Sequence, residues 1–172
     1  LATAAVQLAL QLAAEMGVVG VLAVELFETI DGALVVNELA MRPHNSGHWT
    51  MDGAVTSQFE QHLRAVLDYP LGDASAKVPV TVMANVLGAE EVPVMSVDER
   101  LHHLFARMPE AKVHLYGKAE RPGRKIGHVN VLGAVGGSPD DEQYVGDLRE
   151  RARRAAHWLA RGEWTDGWNE HG

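Results

Sequence analysis

The sequence predicts an α+β fold with mostly antiparallel sheets, and two observations support that class. Helical and strand-like segments alternate along the 172 residues in the order helix, hairpin, helix, strands, helix, strands, helix. A strong two-residue turn signal, Asp31-Gly32, joins two apolar strands. No apolar run reaches the roughly 18 residues of a membrane span. We therefore expect no membrane partner.

The first segment, residues 2–16, is rich in Ala and Leu and precedes Gly17, a typical helix stop. Its polar residues recur every four positions in one narrow stripe, so we expect a helix that is buried on most sides. The next segment, VVGVLAVELFETIDGALVVNELA, is apolar and rich in β-branched residues, which predicts two strands around the turn.

The later elements follow from helix caps and alternation. Ser57 with Glu60, and Ser96 with Glu99, have the spacing of a capping box that opens a helix. KVHLYGK and KIGHVNVLG read as strands joined by the turn AERPGR. Ser138, with the following Pro as the first helical residue, predicts the start of a long closing helix.

A segment rich in Pro, Gly and Ser, YPLGDASAK, predicts a boundary between two parts of the chain. We assign residues 1–74 to a first domain and residues 75–172 to a small second one. Because the chain starts with Leu rather than Met, directly at the first predicted helix, we expect it to be part of a larger protein.

Composition excludes several classes of function. The formal net charge of −8 argues against a nucleic-acid or anionic-membrane binder, whose surface is normally basic. The absence of cysteine excludes disulfides, thiolate zinc sites and Cys nucleophiles, and it fits a cytoplasmic location.

The predicted hairpin brings two carboxylates together. With Asp31-Gly32 as the central turn residues, Glu25 lies opposite Glu38, where like charges destabilise a sheet unless a cation, a shared proton or a basic neighbour compensates. Two such carboxylates with open coordination positions suit Mg²⁺. The alternative is that both lie on a solvated face in a shifted register.

The same register has further consequences for the hairpin. It pairs Phe27 with Val36 on the strands beside the two acids. It also turns Asn37 to the other face, where an orienting hydrogen bond is more accessible to it than a metal.

A polar loop, residues 42–49 with the sequence RPHNSGHW, follows the second strand directly. Arg42 carries a planar fork suited to phosphate or carboxylate, and His44, Asn45 and Ser46 add further polar groups. The alternative is a loop that satisfies its own backbone. So many anion-binding groups beside two candidate metal ligands favour a phosphate-handling site.

A basic loop, residues 117–125 with the sequence GKAERPGRK, is the other candidate site. It places Lys118, Arg121, Arg124 and Lys125 around Gly123. The alternatives are a solvated hairpin end and a phosphate clamp that combines backbone amides with side chains.

Two stretches carry a family resemblance: VELFETIDGALVVNELAMRPHNSGHWT with TSQFEQHLRAV, and HLYGKAERPGRKIGHVNVLG. They resemble the N5-carboxyaminoimidazole ribonucleotide synthases, ATP-grasp enzymes of bacterial and fungal purine biosynthesis. The resemblance implies the C-terminal lobe of an ATP-grasp domain, then a small β-rich subdomain closed by a long helix. It also implies that the nucleotide-fold domain and the first ATP-grasp lobe of the family lie outside this chain.

The resemblance further implies the reaction and its participants. ATP and bicarbonate form carboxyphosphate, which carboxylates 5-aminoimidazole ribonucleotide and leaves ADP and phosphate. The implied cofactors are ATP and Mg²⁺, the implied assembly is a homodimer, and a fragment of this length is expected to be inactive.

The motifs carry the following roles by resemblance. Glu25 and Glu38 would hold Mg²⁺, with Asn37 and Glu38 in the ATP site and Arg42 at the transferring group. The remaining candidates would contact the substrates: His44, Asn45 and Ser46 from the polar loop, and Lys118, Arg124 and Lys125 from the basic loop.

Two alternatives remain open. One is a related ATP-grasp enzyme, the formate-dependent glycinamide ribonucleotide transformylase, although its loop typically continues from RPH with Asp-Thr-Gly. The other is a non-catalytic interaction module, which the apolar first helix and the long closing helix permit.

Overall fold

A computed structural model describes residues 1–168 of the chain. The chain divides into two compact units, the first being Leu1–Ser75 and the second beginning at Ala76. Helices and small antiparallel sheets make up both units, as the α+β prediction requires.

Unit 1 consists of a helix, a two-stranded hairpin, a 3₁₀ turn and two further helices. Its elements are α1 (Ala2–Glu15), β1 (Ala23–Glu28), β2 (Leu34–Ala40), the 3₁₀ turn (Asn45–Gly47), α2 (Thr50–Gly53) and α3 (Gln58–Val66). The polar loop thus begins two residues after β2 and runs through the 3₁₀ turn toward α2.

The hairpin contains the predicted acidic pair, but its turn and its strand register differ from the prediction. The turn has three loop residues, with the Thr29 N–H donating to the Ala33 carbonyl and Gly32 in the left-handed region at φ +80°. Near the turn the register is therefore shifted by one position, so the predicted pairing of Phe27 with Val36 is wrong and Phe27 faces Val35.

A β-bulge then shifts the register back. It lies between Glu25 and Leu26 on β1, whose partners are Glu38 and Val36, so Asn37 is the extra residue on β2. The two one-residue irregularities cancel, and Glu25 lies opposite Glu38 as predicted.

Unit 1 buries little apolar surface. Its buried apolar residues are Ala40 and Ala54, and α1 buries no residue. The prediction that α1 is buried on most sides is therefore wrong, since Leu10 is 59% exposed. The apolar residues of α3 are also exposed, including Leu63 at 58%.

Unit 2 folds a three-stranded antiparallel sheet against two helices. Its elements are β3 (Thr81–Leu87), α4 (Val97–Arg107), β4 (Lys112–Leu115), β5 (Lys125–Leu132) and α5 (Glu142–Arg161). The sheet order is β3-β5-β4, so β5 is central and the basic loop joins it to β4. Val86, Leu104, Val129 and Val131 are fully buried in the core beneath the helices.

The helix caps match the sequence in part. Ser96 and Glu99 form the predicted capping box of α4. Ser57 caps α3 by accepting from the Glu60 N–H, whereas the Glu60 carboxylate pairs with an arginine one turn later.

The predicted start of the closing helix is wrong. Ser138 instead makes a turn, and α5 begins four residues later, where the Asp141 carboxylate accepts from the Tyr144 N–H at 3.0 Å. Among the described residues, no helix is both long enough and apolar enough to cross a membrane.

Candidate functional site

The bulge in the hairpin places two side chains of β2 against one of β1. Because two residues of a bulged strand oppose one residue of its partner, both Asn37 and Glu38 face Glu25. The Asn37 amide donates to Glu25 Oε2 at 3.3 Å, so the prediction that Asn37 turns to the other face is wrong. Glu38 is exposed and makes no hydrogen bond or ion pair within residues 1–168.

His44 of the polar loop binds the other oxygen of Glu25. Its Nε2 lies 3.1 Å from Glu25 Oε1, while its Nδ1 accepts from the Ser46 N–H and lies 2.9 Å from the Ser46 hydroxyl. Because Nδ1 accepts, the neutral ring carries its proton on Nε2 and donates to the carboxylate. Glu25 is thus held by a histidine and an amide rather than by a lysine or an arginine.

Gln58 fixes the polar loop, and the sequence analysis did not identify it. Its Oε1 accepts from the His44 N–H at 3.0 Å, and its Nε2 donates to the His44 carbonyl at 2.7 Å. The same Nε2 lies 2.8 Å from His48 Nδ1. Gln58 is 8% exposed. The only signal in the sequence is the position of Gln58 at the start of a helix, directly after the Ser57 cap, and this signal is weak.

Two other predicted residues of the loop lie apart from this contact network. The Arg42 guanidinium is exposed and donates to the Pro43 carbonyl, so it contacts neither carboxylate. The side-chain oxygen of Asn45 is buried and has no hydrogen-bond partner within residues 1–168, which leaves a strong acceptor available to a ligand.

The carboxylates meet the requirements of Mg²⁺ only in part. In the part of the chain that the structure describes, no three His, Asp or Glu side chains converge in a way that could hold a metal. Mg²⁺ needs fewer protein ligands, since it retains water and binds through one or two carboxylates plus phosphate oxygens. Two facing glutamates, of which Glu38 has no protein partner within residues 1–168, fit that donor set.

The basic loop of unit 2 is the second candidate site. Lys118 Nζ lies 5.3 Å from the centre of the Tyr116 ring, within cation–π range. Arg124 Nη1 donates to the Ala119 carbonyl at 3.4 Å, so this side chain lies along the loop. Lys118 and Arg124 are exposed and Lys125 is half-buried at the start of β5.

Tyr116 connects this loop to the sheet. Its hydroxyl lies 2.7 Å from Nδ1 of the fully buried His128, whose ring stacks on His114 at 4.6 Å. Burial raises the pKa of Tyr116 above its ordinary value. The ring beneath Lys118 therefore stays neutral over the physiological pH range.

Two family models match the chain. An ATP-grasp domain model matches residues 1–59, which include the hairpin and the polar loop. A phosphoribosylaminoimidazole carboxylase C-terminal domain model matches residues 81–138, which include the basic loop.

Two curated relatives from different bacteria carry the same name. The N5-carboxyaminoimidazole ribonucleotide synthase of Mycobacterium tuberculosis is 76% identical over 171 residues, which are 99% of this chain and 38% of that protein. The enzyme of the same name from Bacillus subtilis is 49% identical over 139 residues, which are 80% of this chain and 33% of that protein. The chain thus spans less than two fifths of the length of these relatives.

Solved structures agree with the curated relatives. The ADP complex of an N5-carboxyaminoimidazole ribonucleotide synthetase has a TM-score of 0.70 at 39% identity, covering 94% of this chain and 38% of that one. The Aspergillus clavatus enzyme with ADP and 5-aminoimidazole ribonucleotide has a TM-score of 0.57 at 34% identity, covering 78% and 35%. From its motifs, its fold and these matches, the chain belongs to the N5-carboxyaminoimidazole ribonucleotide synthase family.

Proposed function

We propose that this chain supplies part of the active site of an enzyme that carboxylates 5-aminoimidazole ribonucleotide with bicarbonate at the expense of ATP. The observation that carries the proposal is the bulged hairpin, which presents Glu25, Asn37 and Glu38 together beside the polar loop. Relatives of this chain bind ADP, and one binds ADP and 5-aminoimidazole ribonucleotide together.

Mg²⁺ is the proposed metal, with Glu25 and Glu38 as its protein ligands. When bound, the ion neutralises charge on the nucleotide phosphates. The side-chain amide of Asn37 and the ring Nε2–H of His44 orient the Glu25 carboxylate, so that its lone pairs point in a fixed direction before any ligand arrives. Asn37 and Glu38 form the ATP-facing part of the site.

The polar loop is proposed to contact the reacting groups. Arg42 stabilises the transferring phosphoryl group or carboxyphosphate, because its exposed guanidinium has donors left after its single bond to Pro43. His44, Asn45 and Ser46 line the space between nucleotide and ribonucleotide. The buried, unpaired oxygen of Asn45 supports this, since a bound ligand would satisfy it.

The basic loop is proposed to bind phosphate. Lys118 and Arg124 take the 5′-phosphate of the ribonucleotide or the carboxyphosphate, and Lys125 assists them. The density of positively charged side chains around Gly123, which has φ +67°, supports a clamp made of those side chains, since the Gly123 N–H already donates to the Gly88 carbonyl.

The whole enzyme is proposed to be a cytoplasmic homodimer. Residues 1–74 form the C-terminal lobe of the ATP-grasp domain, and residues 75–172 form the C-terminal subdomain. The acidic composition and the lack of cysteine support a reducing compartment without nucleic-acid or membrane partners.

Substitution of Glu38 by Gln tests the metal assignment. In an enzyme of full family length that contains this chain, Glu38→Gln should lower the ribonucleotide-dependent ATPase rate roughly 100-fold or more. The substitution removes one of the two charged side chains proposed to hold the Mg²⁺ ion. The rate is measured as ADP release, with circular dichroism as the check on folding.

Glu28→Gln is the matched control, since Glu28 lies on the same hairpin, on the partner strand β1, but outside the bulge and opposite Leu34. Its ATPase rate should stay within about twofold of the parent. Near-parental turnover in Glu38→Gln would refute the metal assignment. ATPase activity that responds to glycinamide ribonucleotide and formate would instead favour the related transformylase, and no activity with either pair would favour an interaction module.

A further inference from the structure

Arg100 is buried in unit 2 although it carries a permanent charge. It lies on α4 and is 1% exposed. Its guanidinium donates to the Leu159 carbonyl, to the Ser96 carbonyl at 3.4 Å, and to Glu120 Oε1 at 2.7 Å. Buried charges persist in proteins only where a partner compensates them. Among residues 1–168, Glu120 is the only carboxylate that contacts this guanidinium.

Glu120 belongs to the basic loop, so this ion pair joins the loop to the core. The Glu120 side chain is 16% exposed, whereas Lys118, Arg121 and Arg124 are exposed. The loop thus turns its one acidic residue inward and its cations outward. Glu120 lies near the middle of the loop, twenty residues from Arg100 in sequence.

Backbone bonds to the end of β3 hold the other half of the loop. The Gly123 N–H donates to the Gly88 carbonyl at 2.9 Å, and the Gly88 N–H donates to the Arg124 carbonyl at 2.9 Å. A Cβ on Gly88 would collide with the carbonyl oxygen of Arg121. These bonds fix residues 121–124, but they leave the Lys118 side of the loop without such an anchor.

We propose that the buried Arg100–Glu120 ion pair is a positioning element that fixes the Lys118 side of the basic loop and thereby sets the affinity for the phosphate of the ribonucleotide. Neither residue touches the substrate. The pair acts by fixing where Lys118 and Arg124 lie relative to one another. This inference rests on the proposed function of the basic loop.

The pair also controls the charge of the loop. A free carboxylate among four cations would repel a phosphate and compete for the same basic side chains. Arg100 neutralises Glu120 from the core side, so the outward surface of the loop keeps its positive potential. The neutralising charge comes from α4 and not from the cations that face solvent.

Glu120→Gln in an enzyme of full family length tests the proposal. Gln retains an acceptor for Arg100 but removes the charge and weakens the anchor. The KM for 5-aminoimidazole ribonucleotide should rise roughly tenfold, with KM for ATP and kcat within about twofold, because the weakened contact holds the loop proposed for the ribonucleotide phosphate and none of the residues proposed for ATP. Amide exchange in residues 117–120 should accelerate. Glu120→Asp keeps the charge and should restore part of both effects.

Asp166→Asn is the control for a purely structural effect. Asp166 also forms an ion pair in unit 2, with Arg107 and Arg154, but it lies outside the basic loop. It should lower the melting temperature without changing either KM. Arg124→Ala serves as the reference for direct loss of a phosphate contact and should raise the KM for the ribonucleotide only.

The outcomes separate the two proposals. Unchanged exchange in residues 117–120 of Glu120→Gln overturns the positioning role, as does accelerated exchange with an unchanged KM for the ribonucleotide. A parent enzyme with no ribonucleotide-dependent turnover, or an Arg124→Ala variant with unchanged KM, overturns the proposed function of the loop instead. The exchange measurement still decides the anchoring role in that case.

Discussion

At the scale of single residues, the polar loop depends on Gln58, which contacts neither of the two glutamates proposed to bind the metal. Gln58 brackets the backbone of His44 with one acceptor and one donor bond, and His44 in turn holds Glu25. The orientation of the carboxylate is therefore set two contacts away from it. Supporting contacts of this kind commonly fix the geometry of functional groups.

The sequence could identify Glu25 and His44, but it could identify neither their contact nor the role of Gln58. The facing glutamates follow from strand alternation, and the loop residues follow from their chemistry. The contact between His44 and Glu25 depends on the path of the loop, which carries no periodic signal. The role of Gln58 depends on the same path, for which the sequence offers only a helix start.

Loss of the Gln58 side chain should disorder the polar loop. Gln58→Leu leaves the buried N–H and carbonyl of His44 without partners, which costs about 1–3 kcal/mol in unfolding free energy per group. In an enzyme of full family length, we expect KM for ATP to rise several-fold and amide exchange in residues 42–48 to accelerate. Steady-state kinetics and exchange mass spectrometry measure both.

Gln61→Leu is a closely matched control. Gln61 brackets Gly72 with the same pair of bonds, at 2.7 Å and 2.9 Å, on the same helix. It should destabilise unit 1 to a similar degree without changing KM for ATP. Equal effects of the two variants on KM would show that Gln58 acts only through stability.

At the scale of elements, the hairpin reaches the predicted acidic pair through two irregularities. Asp-Gly is a strong signal for a two-residue turn, yet the loop has three residues with Gly32 in the left-handed conformation. The bulge at Asn37 then restores the register. Turn type depends on local hydrogen bonds and a bulge depends on packing, so alternation alone predicts neither.

The same bulge explains why Asn37 differs from its prediction. A regular strand alternates strictly between faces, so Asn37 and Glu38 would point to opposite sides. In a bulge both residues oppose one partner. The irregular position thus adds an amide to the carboxylate pair, which a regular hairpin could not do.

A cluster of charged and aromatic side chains joins the end of α4 to α5 and to the residues that follow α5. Arg107 stacks over Trp164 at 4.2 Å and also bonds Asp166, which a second arginine, Arg154, approaches at 3.1 Å. Hydrogen bonds from Arg107 hold the pKa of Asp166 below its ordinary value. The stacked Trp158 provides a spectroscopic probe of the cluster.

This cluster predicts a loss of stability in acid. Because the folded-state pKa of Asp166 lies below the unfolded value, the unfolded state binds more protons at acid pH. The stabilisation is complete above the unfolded pKa, near 4, and disappears as pH falls through the folded value. We therefore expect Asp166→Asn to have a lower unfolding free energy than the parent protein at pH 7, and nearly the same unfolding free energy at pH 2. Urea unfolding followed by tryptophan fluorescence measures both.

Asp140→Asn is the comparison, since the Asp140 carboxylate makes no ion pair among residues 1–168. It should leave the unfolding free energy unchanged at both values of pH. A difference between parent and Asp166→Asn that persists undiminished at pH 2 would exclude the ion pairs as the source of the effect.

At the scale of the whole chain, the two units differ in how much apolar surface they bury. Unit 2 has a continuous core of helix and sheet residues, whereas the buried apolar residues of unit 1 are two alanines. The sequence predicted the apolar first helix correctly, but it did not predict that this helix is exposed. An apolar helix face indicates that the face is normally buried, but it does not indicate which segment packs against it. This fits a chain that spans 38% of its mycobacterial relative.

The difference in burial predicts unequal stability when the 172-residue chain is studied alone. Local opening free energy follows apolar burial, so amides of β5, which includes the fully buried Val129 and Val131, should exchange slowest. Amides of β2 should exchange about 100-fold faster, equivalent to about 3 kcal/mol. Hydrogen exchange followed by mass spectrometry compares both strands in one sample.

Ligand addition completes this experiment. MgATP should leave exchange in β2 of the isolated chain nearly unchanged and give negligible ADP release, because a weak ligand stabilises only in proportion to its occupancy. In an enzyme of full family length the same addition should slow exchange in β2, while β5 serves as the internal reference. Strong MgATP protection of β2, or bicarbonate-dependent turnover, in the isolated chain would show that unit 1 forms a complete nucleotide site by itself.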